Sequence, residues 1–271
     1  MRPVPTGIEL VIIGGGNMGA ALVGGLLAGG RPPSSIAVTE VAPARREQLA
    51  AMLPDVHVSD DVAPCAAAVL AVKPAVVAEA ARAAVAAGAR RLLSIAAGIT
   101  TTHIEQAIDG VADESVAVVR AMPNTPALVG RGASAIAPGA AAGADDLAWA
   151  EAILGAVGLV VRVDESQLDA VTALSGSGPA YLFLVAEALT AAGVAVGLAR
   201  ELAETLTTQL LLGSGELLAA RGDPARLRAE VTSPGGTTAA GIAVLEQGGL
   251  SALVEAAVRA AAARSRELAA G

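Results

Sequence analysis

Aromatic side chains are almost missing from this chain: its 271 residues include one Phe, one Tyr and one Trp. The core must therefore be assembled from Ala, Val, Leu and Ile, which suits closely packed helices and buried strands. Cysteine is equally scarce. Cys65 stands alone, which excludes an intramolecular disulfide and a cysteine-cluster metal site. Lysine occurs once, as Lys73, and histidine twice, as His57 and His103. Neither histidine has a carboxylate at recognisable spacing, so a histidine-based acid or base is not expected. No metal-ligand cluster is visible, since Asp60-Asp61 and Asp145-Asp146 read as solvated or helix-start acids. Basic residues are outnumbered: the formal net charge is −8 and the isoelectric point about 4.8. That balance argues against nucleic acid or an anionic membrane surface as a partner. Long apolar runs are expected to be absent as well. The run at Leu10 is cut off by glycine after a few residues, no signal-peptide pattern is present, and no stretch is expected to reach the length of a membrane span. A cytoplasmic protein is the expectation.

What the chain does have is glycine in a particular place. Glu9 to Gly19 reads E-L-V-I-I-G-G-G-N-M-G. The short β-branched run Leu10–Ile13 predicts a buried parallel strand. Gly14-x-Gly16-x-x-Gly19 then opens into Ala20–Ala28, of helical composition. Gly14 allows a tight turn, Gly16 lets the backbone approach a pyrophosphate, and Gly19 lets the helix pack closely. The helix start offers N–H groups and a positive dipole end to that anion. Glu40 ends the next apolar run, Ile36–Thr39, at the place where a dinucleotide fingerprint carries an acidic residue.

Further along, Pro43–Leu53 predicts a helix, Val56–Val58 a short strand and Ala66–Val72 an apolar strand ended by Lys73-Pro74. A helix through Ala87 comes next, then strands at Arg91–Ile95 and Val116–Ala121. Strand Gly132–Ala137, a helix around Asp145–Ala156 and strand Gly158–Val163 complete this half. Residues 1–8, with Pro3, Pro5 and Gly7, read as an extended or disordered lead-in. The alternation of strands and helices implies an α/β fold with a doubly wound parallel sheet of Rossmann type over residues 1–163.

From Asp164 to Gly271 no convincing strand appears. Leu168–Leu174, Ala180–Val194, Leu198–Leu218 and the segments around Ile242 and Leu250 read as helices, so residues 164–271 form an all-α domain. Apolar residues lie on more than one face of these helices, which points to burial against a partner subunit.

The shortage of acids and bases is informative. A protonated imine already carries positive charge at its electrophile, and hydride adds to it without a strong protein acid. Two glycine-rich segments precede helices: Ser175-Gly176-Ser177-Gly178-Pro179 and Thr232-Ser233-Pro234-Gly235-Gly236-Thr237-Thr238. The second presents backbone N–H groups and hydroxyls at a helix start, and it reads equally as a carboxylate cradle or as a capped interhelical loop.

These motifs, with A-V-K-P at Ala71–Pro74, A-A-G-I-T at Ala96–Thr100, R-A-M-P-N-T-P at Arg120–Pro126, D-A-V-T-A-L-S-G-S-G-P-A-Y at Asp169–Tyr181 and V-T-S-P-G-G-T-T at Val231–Thr238, together resemble the pyrroline-5-carboxylate reductase family. The likeness spans nearly the whole chain in order. It implies reduction of 1-pyrroline-5-carboxylate to L-proline by NAD(P)H, the last step of proline synthesis. It also implies a Rossmann domain joined to a helical dimerisation domain, a homodimer, and a decamer as a possible higher assembly. By the same resemblance Gly14, Gly16, Asn17, Met18 and Gly19 match the pyrophosphate loop. Val72, Lys73, Pro74, Ala97, Gly98, Met122, Pro123 and Asn124 match segments beside the cofactor. Glu165, Ser233, Gly235, Gly236, Thr237 and Thr238 match the substrate pocket, with Thr238 as the catalytic hydroxyl bonded to the ring nitrogen. Glu230 stands where some members carry Asn, so that contact is not carried over.

The resemblance implies NADPH, with NADH possible. Glu40 by itself suggests a ribose 2′-hydroxyl and NADH, whereas Arg45 and Arg46 close behind could take a 2′-phosphate. A rival enzyme class, the β-hydroxyacid dehydrogenases, relies on a lysine in the helical domain, and Lys73 lies in the other half. A reductase of another cyclic imine and a non-catalytic nucleotide-sensing protein are the remaining alternatives.

Overall fold

The structure is a computed structural model and describes residues 7–270. Residues 1–6 of the expected lead-in lie outside the described residues.

Eight strands form one sheet in the order β3-β2-β1-β4-β5-β6-β7-β8. They are β1 (Leu10–Ile13), β2 (Ile36–Thr39), β3 (His57–Ser59), β4 (Ala67–Leu70), β5 (Arg91–Ser94), β6 (Ala117–Met122), β7 (Gly132–Pro138) and β8 (Gly158–Arg162). Around them lie α1 (Asn17–Ala28), α2 (Pro43–Met52), α3 (Val77–Ala86), α4 (Thr101–Ile108) and α5 (Ala144–Gly155). The six strands β1–β6 run parallel. The sheet is not parallel throughout, however: β7 pairs antiparallel with β6, and β8 then runs parallel to β7. The reason is the connection. Residues 123–131 hold only a 3₁₀ turn, Thr125–Val129, too little chain for the crossover that a parallel neighbour needs.

The two-residue period of the strands sorts the core into two layers. Val11, Ile13, Ala68, Leu70, Leu92 and Val118 face one way and pack with Val77, Ala81, Ala84, Ile104 and Ile108 of α3 and α4. Leu10, Ile12, Val69, Leu93 and Val119 face the other way, against Leu22, Val23 and Leu26 of α1, Leu49 of α2 and Ile153 and Leu154 of α5. Aliphatic side chains fill both layers, as the near absence of aromatics requires.

The rest is helical: α6 (Leu168–Val171), α7 (Gly178–Ala195), α8 (Arg200–Arg221), α9 (Pro224–Glu230), α10 (Thr237–Gln247) and α11 (Leu250–Ala270). Between α6 and α7 the chain makes a wider π-type turn over Thr172–Gly176, closed by Ser177 N–H donating to Thr172 C=O at 2.8 Å. The short helix α9 is not anticipated from the sequence pattern. Asp223 starts it, accepting from Arg226 N–H at 3.1 Å, with Pro224 at the first helical position.

The chain forms two compact units. One runs up to Ser177 and regains the chain from Ala261 onward; the other is Gly178–Ala260. Within the first, Ser265 Oγ donates to Asp169 Oδ1 at 2.6 Å and ties the end of α11 back. In the second, α7 and α8 pack as a hairpin, yet Leu182, Phe183, Leu184, Leu206 and Leu210 are each more than half exposed. Exposed large apolar side chains gathered on two packed helices are the pattern of an interaction surface. One expectation needs correction here. The helical run Glu165–Ala195 is 31 residues long and holds an 18-residue window of mean hydropathy 1.4, enough to span a membrane by length and composition. It goes unnoticed in the sequence because its charged residues and its glycines break the run into short apolar pieces.

Candidate active site

Parallel register brings the predicted nucleotide residues to one edge. Ile13 pairs with both Thr39 and Leu70, Leu70 with Ser94, and Ser94 with Arg120. The strands therefore end level, and the loops leaving their C-terminal ends lie on the same side of the sheet, where open α/β sheets bind ligands. Gly14–Gly19 comes after β1, Glu40 after β2, Val72-Lys73-Pro74 after β4 and Ala97-Gly98 after β5, while Met122-Pro123-Asn124 closes β6.

The glycine loop is built for close approach. Gly14 has φ +104°, and a Cβ there would run into the Ala71 carbonyl; a Cβ on Gly19 would strike the Gly14 carbonyl. Gly16 has nothing within 4 Å of where its Cβ would stand. It caps α1 without a side-chain hydrogen bond, and the first turn of α1 holds no acidic residue. Open space in front of unclaimed N–H groups fits a pyrophosphate, so these residues suit a dinucleotide.

Glu40 stands beside this loop. Its Oε2 accepts from Gly15 N–H at 3.0 Å and its Oε1 from Ala42 N–H at 2.9 Å. Arg45 Nε donates to the Gly15 carbonyl at 2.7 Å, and its Nη1 to Gln48. Arg46 donates to the carbonyls of Glu40 and Val41 and pairs with Asp60 at 3.3 Å. Lys73 is exposed and makes no ion pair among the described residues. Asn124 lies on the edge, but its amide works within the protein: Oδ1 accepts from Ala133 N–H at 2.8 Å, and Nδ2 donates to the Ser175 carbonyl at 3.0 Å in the π-type turn.

Glu165, at the entry to the helical half, is bound to the sheet. Its carboxylate accepts from Thr101 N–H at 2.8 Å, Thr101 Oγ1–H at 2.6 Å and Arg120 Nη1 at 3.1 Å. Burial raises its pKa, but the Thr101 and Arg120 hydrogen bonds and the guanidinium charge outweigh that, and the carboxyl is held below its ordinary range. Neither Thr101 nor Arg120 is singled out as a site residue by the sequence motifs. A signal was present nonetheless, since an arginine inside the apolar strand Ala117–Met122 must have a buried partner.

In the second unit the Thr232–Thr238 segment ends at α10. Gly236 caps that helix with no side-chain bond. Ser233, Thr237 and Thr238 are exposed, and none of their hydroxyls is hydrogen-bonded among the described residues. Glu230 is engaged instead, accepting from Arg221 at 2.8 Å and Arg226 at 3.0 Å, and these bonds lower its pKa.

Residues 165–268 match the family described as pyrroline-5-carboxylate reductase dimerisation, and residues 9–98 match NADP oxidoreductase coenzyme F420-dependent. The pyrroline-5-carboxylate reductase of Synechocystis is 46% identical over 96% of this chain and 98% of its own. The structure of a pyrroline-5-carboxylate reductase from Coxiella burnetii superposes with a TM-score of 0.88 at 38% identity, covering 97% of this chain and 99% of that one. That of the Plasmodium falciparum pyrroline carboxylate reductase, with NADP bound, does so at 0.80 and 29% identity, covering 97% and 98%. With identity at this level over almost the full length, the chain belongs to the pyrroline-5-carboxylate reductase family.

Proposed function

We propose that this protein is an NAD(P)H-dependent oxidoreductase that reduces 1-pyrroline-5-carboxylate to L-proline, the last step of proline biosynthesis. The observation that carries this is its likeness to reductases of that name over nearly the entire chain. When bound, the reduced nicotinamide supplies the hydride that saturates the C=N bond. The chain's own residues do the rest by binding and orientation. Gly14, Gly16, Asn17, Met18 and Gly19 hold the pyrophosphate through main-chain N–H groups. Glu40 and Arg45 flank that loop, while Val72, Lys73, Pro74, Ala97, Gly98 and Asn124 form the strand-end wall. Ser233, Gly235, Gly236 and Thr237 grip the substrate carboxylate, and the Thr238 hydroxyl hydrogen-bonds the ring nitrogen. Glu165 lines the pocket while it holds Thr101 and Arg120 in place. No strong acid is needed, because the protonated imine is already electrophilic and positioning supplies most of the acceleration.

By function, residues 1–163 serve the nucleotide and residues 164–271 the substrate and the second subunit. The dimerisation family matches 165–268, which supports a homo-oligomer in which a second copy, rather than lipid, covers the apolar face of α7 and α8. A decamer of such dimers, a cytoplasmic location, and independence of membranes and nucleic acid complete the proposal.

The carboxylate cradle has a direct test. Relative to 1-pyrroline-5-carboxylate, 1-pyrroline, the same ring without its carboxylate, is expected to show kcat/KM lower by on the order of 100-fold or more. Equal turnover of both rings would remove the cradle and favour a general cyclic-imine reductase.

A further inference from the structure

NADH and NADPH differ only in the phosphate on the adenosine 2′-hydroxyl, and the residue nearest to that question is Glu40. We infer that Glu40 is the coenzyme-selecting residue of this protein and that it tilts the choice toward NADH. The inference rests on the reading that the Gly14–Gly19 loop holds the nucleotide.

Three observations carry it. First, the carboxylate is fixed. Each oxygen accepts one main-chain N–H, Gly15 on one side and Ala42 on the other, at 3.0 and 2.9 Å. A group held at both ends cannot swing away cheaply from an approaching anion. Second, its position is beside the loop itself: Gly15 lies between Gly14 and Gly16, so the negative charge sits one residue from the glycine that faces open space. A carboxylate has about four acceptor directions. Two are used here, and the others are free to accept from ribose hydroxyls. A 2′-phosphate brings no donor and close to two negative charges to the same place.

Third, the neighbouring cations already have partners. Arg46 gives its guanidinium to the Glu40 and Val41 carbonyls and to Asp60. Arg45 braces the Gly15 carbonyl through Nε and reaches Gln48 through Nη1. Arg46 braces the segment that carries Glu40, and Arg45 braces the glycine loop beside it. Swinging either guanidinium fully onto a phosphate would break these bonds to main-chain carbonyls.

The test is equilibrium binding of NADH and of NADPH by titration calorimetry at constant ionic strength, with the steady-state ratio beside it. The full-length oligomer is used as it stands. Wild-type protein is expected to bind NADH at least about 10-fold more tightly than NADPH, the worth of one charge-assisted hydrogen bond exchanged for repulsion. Glu40→Ser is expected to reduce that preference by about the same factor. Glu40→Gln, which keeps an acceptor for Gly15 N–H, is expected to move it in the same direction without loss of Tm. Arg45→Ala is expected to weaken both coenzymes alike. A wild-type preference for NADPH overturns the inference while leaving the loop assignment intact. So does a Glu40→Ser variant that weakens both coenzymes equally, which is what a purely structural Glu40 would do. A selective loss of NADPH binding in Arg45→Ala also overturns it. Failure of the folded protein to bind either nucleotide removes the loop assignment, and this inference with it.

Discussion

Replacing Glu165 with alanine is expected to cost this protein about 3 kcal/mol of stability. The cost arises from the groups left behind. Arg120 lies on a central strand with its side chain 7% exposed, and Glu165 is its ion-pair partner at 3.1 Å. Taking the carboxylate away leaves a buried guanidinium unpaired, and removing one member of such a pair costs about 3–5 kcal/mol. The lower end applies because about a quarter of the Glu165 side chain reaches solvent. Thr101 also loses the acceptor for both its N–H and its hydroxyl. Urea midpoints at neutral pH measure this, and a loss below about 1 kcal/mol would contradict the pairing.

The pH dependence has a definite sign. The folded carboxyl titrates below the ordinary value of about 4.3. Its contribution is complete above that ordinary value and disappears as pH falls through the lower, folded one. Wild-type protein should therefore lose stability more steeply than Glu165→Gln in that acid window.

The second large effect is on catalysis. Thr238→Ala is expected to lower kcat/KM for 1-pyrroline-5-carboxylate by about 10- to 100-fold, the range for losing one hydrogen bond to a charged group in the transition state. Thr238 is exposed on the first turn of α10, and its hydroxyl has no partner among the described residues. Its removal should leave stability and coenzyme affinity as they are. Thr238→Ser, which keeps the hydroxyl, should retain most of the rate. Unchanged kinetics in Thr238→Ala would take this residue out of the mechanism.

Much of this molecule is readable from its residues because the relevant signals are local. β1, the glycine turn and α1 are contiguous, and Gly14 and Gly19 answer constraints within a few residues or beside the adjacent strand. The level strand ends are also legible, once strands and helices alternate. Features that depend on distant pairing are another matter. Glu40 and Gly15 are 25 residues apart, and Glu165 and Arg120 are 45 apart. Composition marks Glu40 as an acidic residue near a loop, but only the fold shows that its carboxylate is fixed against that loop. The reversal at β7 is hidden in the length of the 123–131 connection, since A-S-A-I-A pairs equally well in either direction. The π-type turn at Thr172–Gly176 has no sequence period of its own. Asn124 illustrates the same limit: its motif locates it at the strand edge, whereas its two bonds, to Ala133 and Ser175, depend on how three separate segments meet.

The central claim is most directly tested by the initial rate of NAD(P)H oxidation at 340 nm with 1-pyrroline-5-carboxylate, run with each coenzyme, with L-proline identified as the product. Rapid oxidation that requires the imine and yields L-proline is the expected result. No oxidation with either coenzyme, by a folded protein that still binds one of them, would contradict the account.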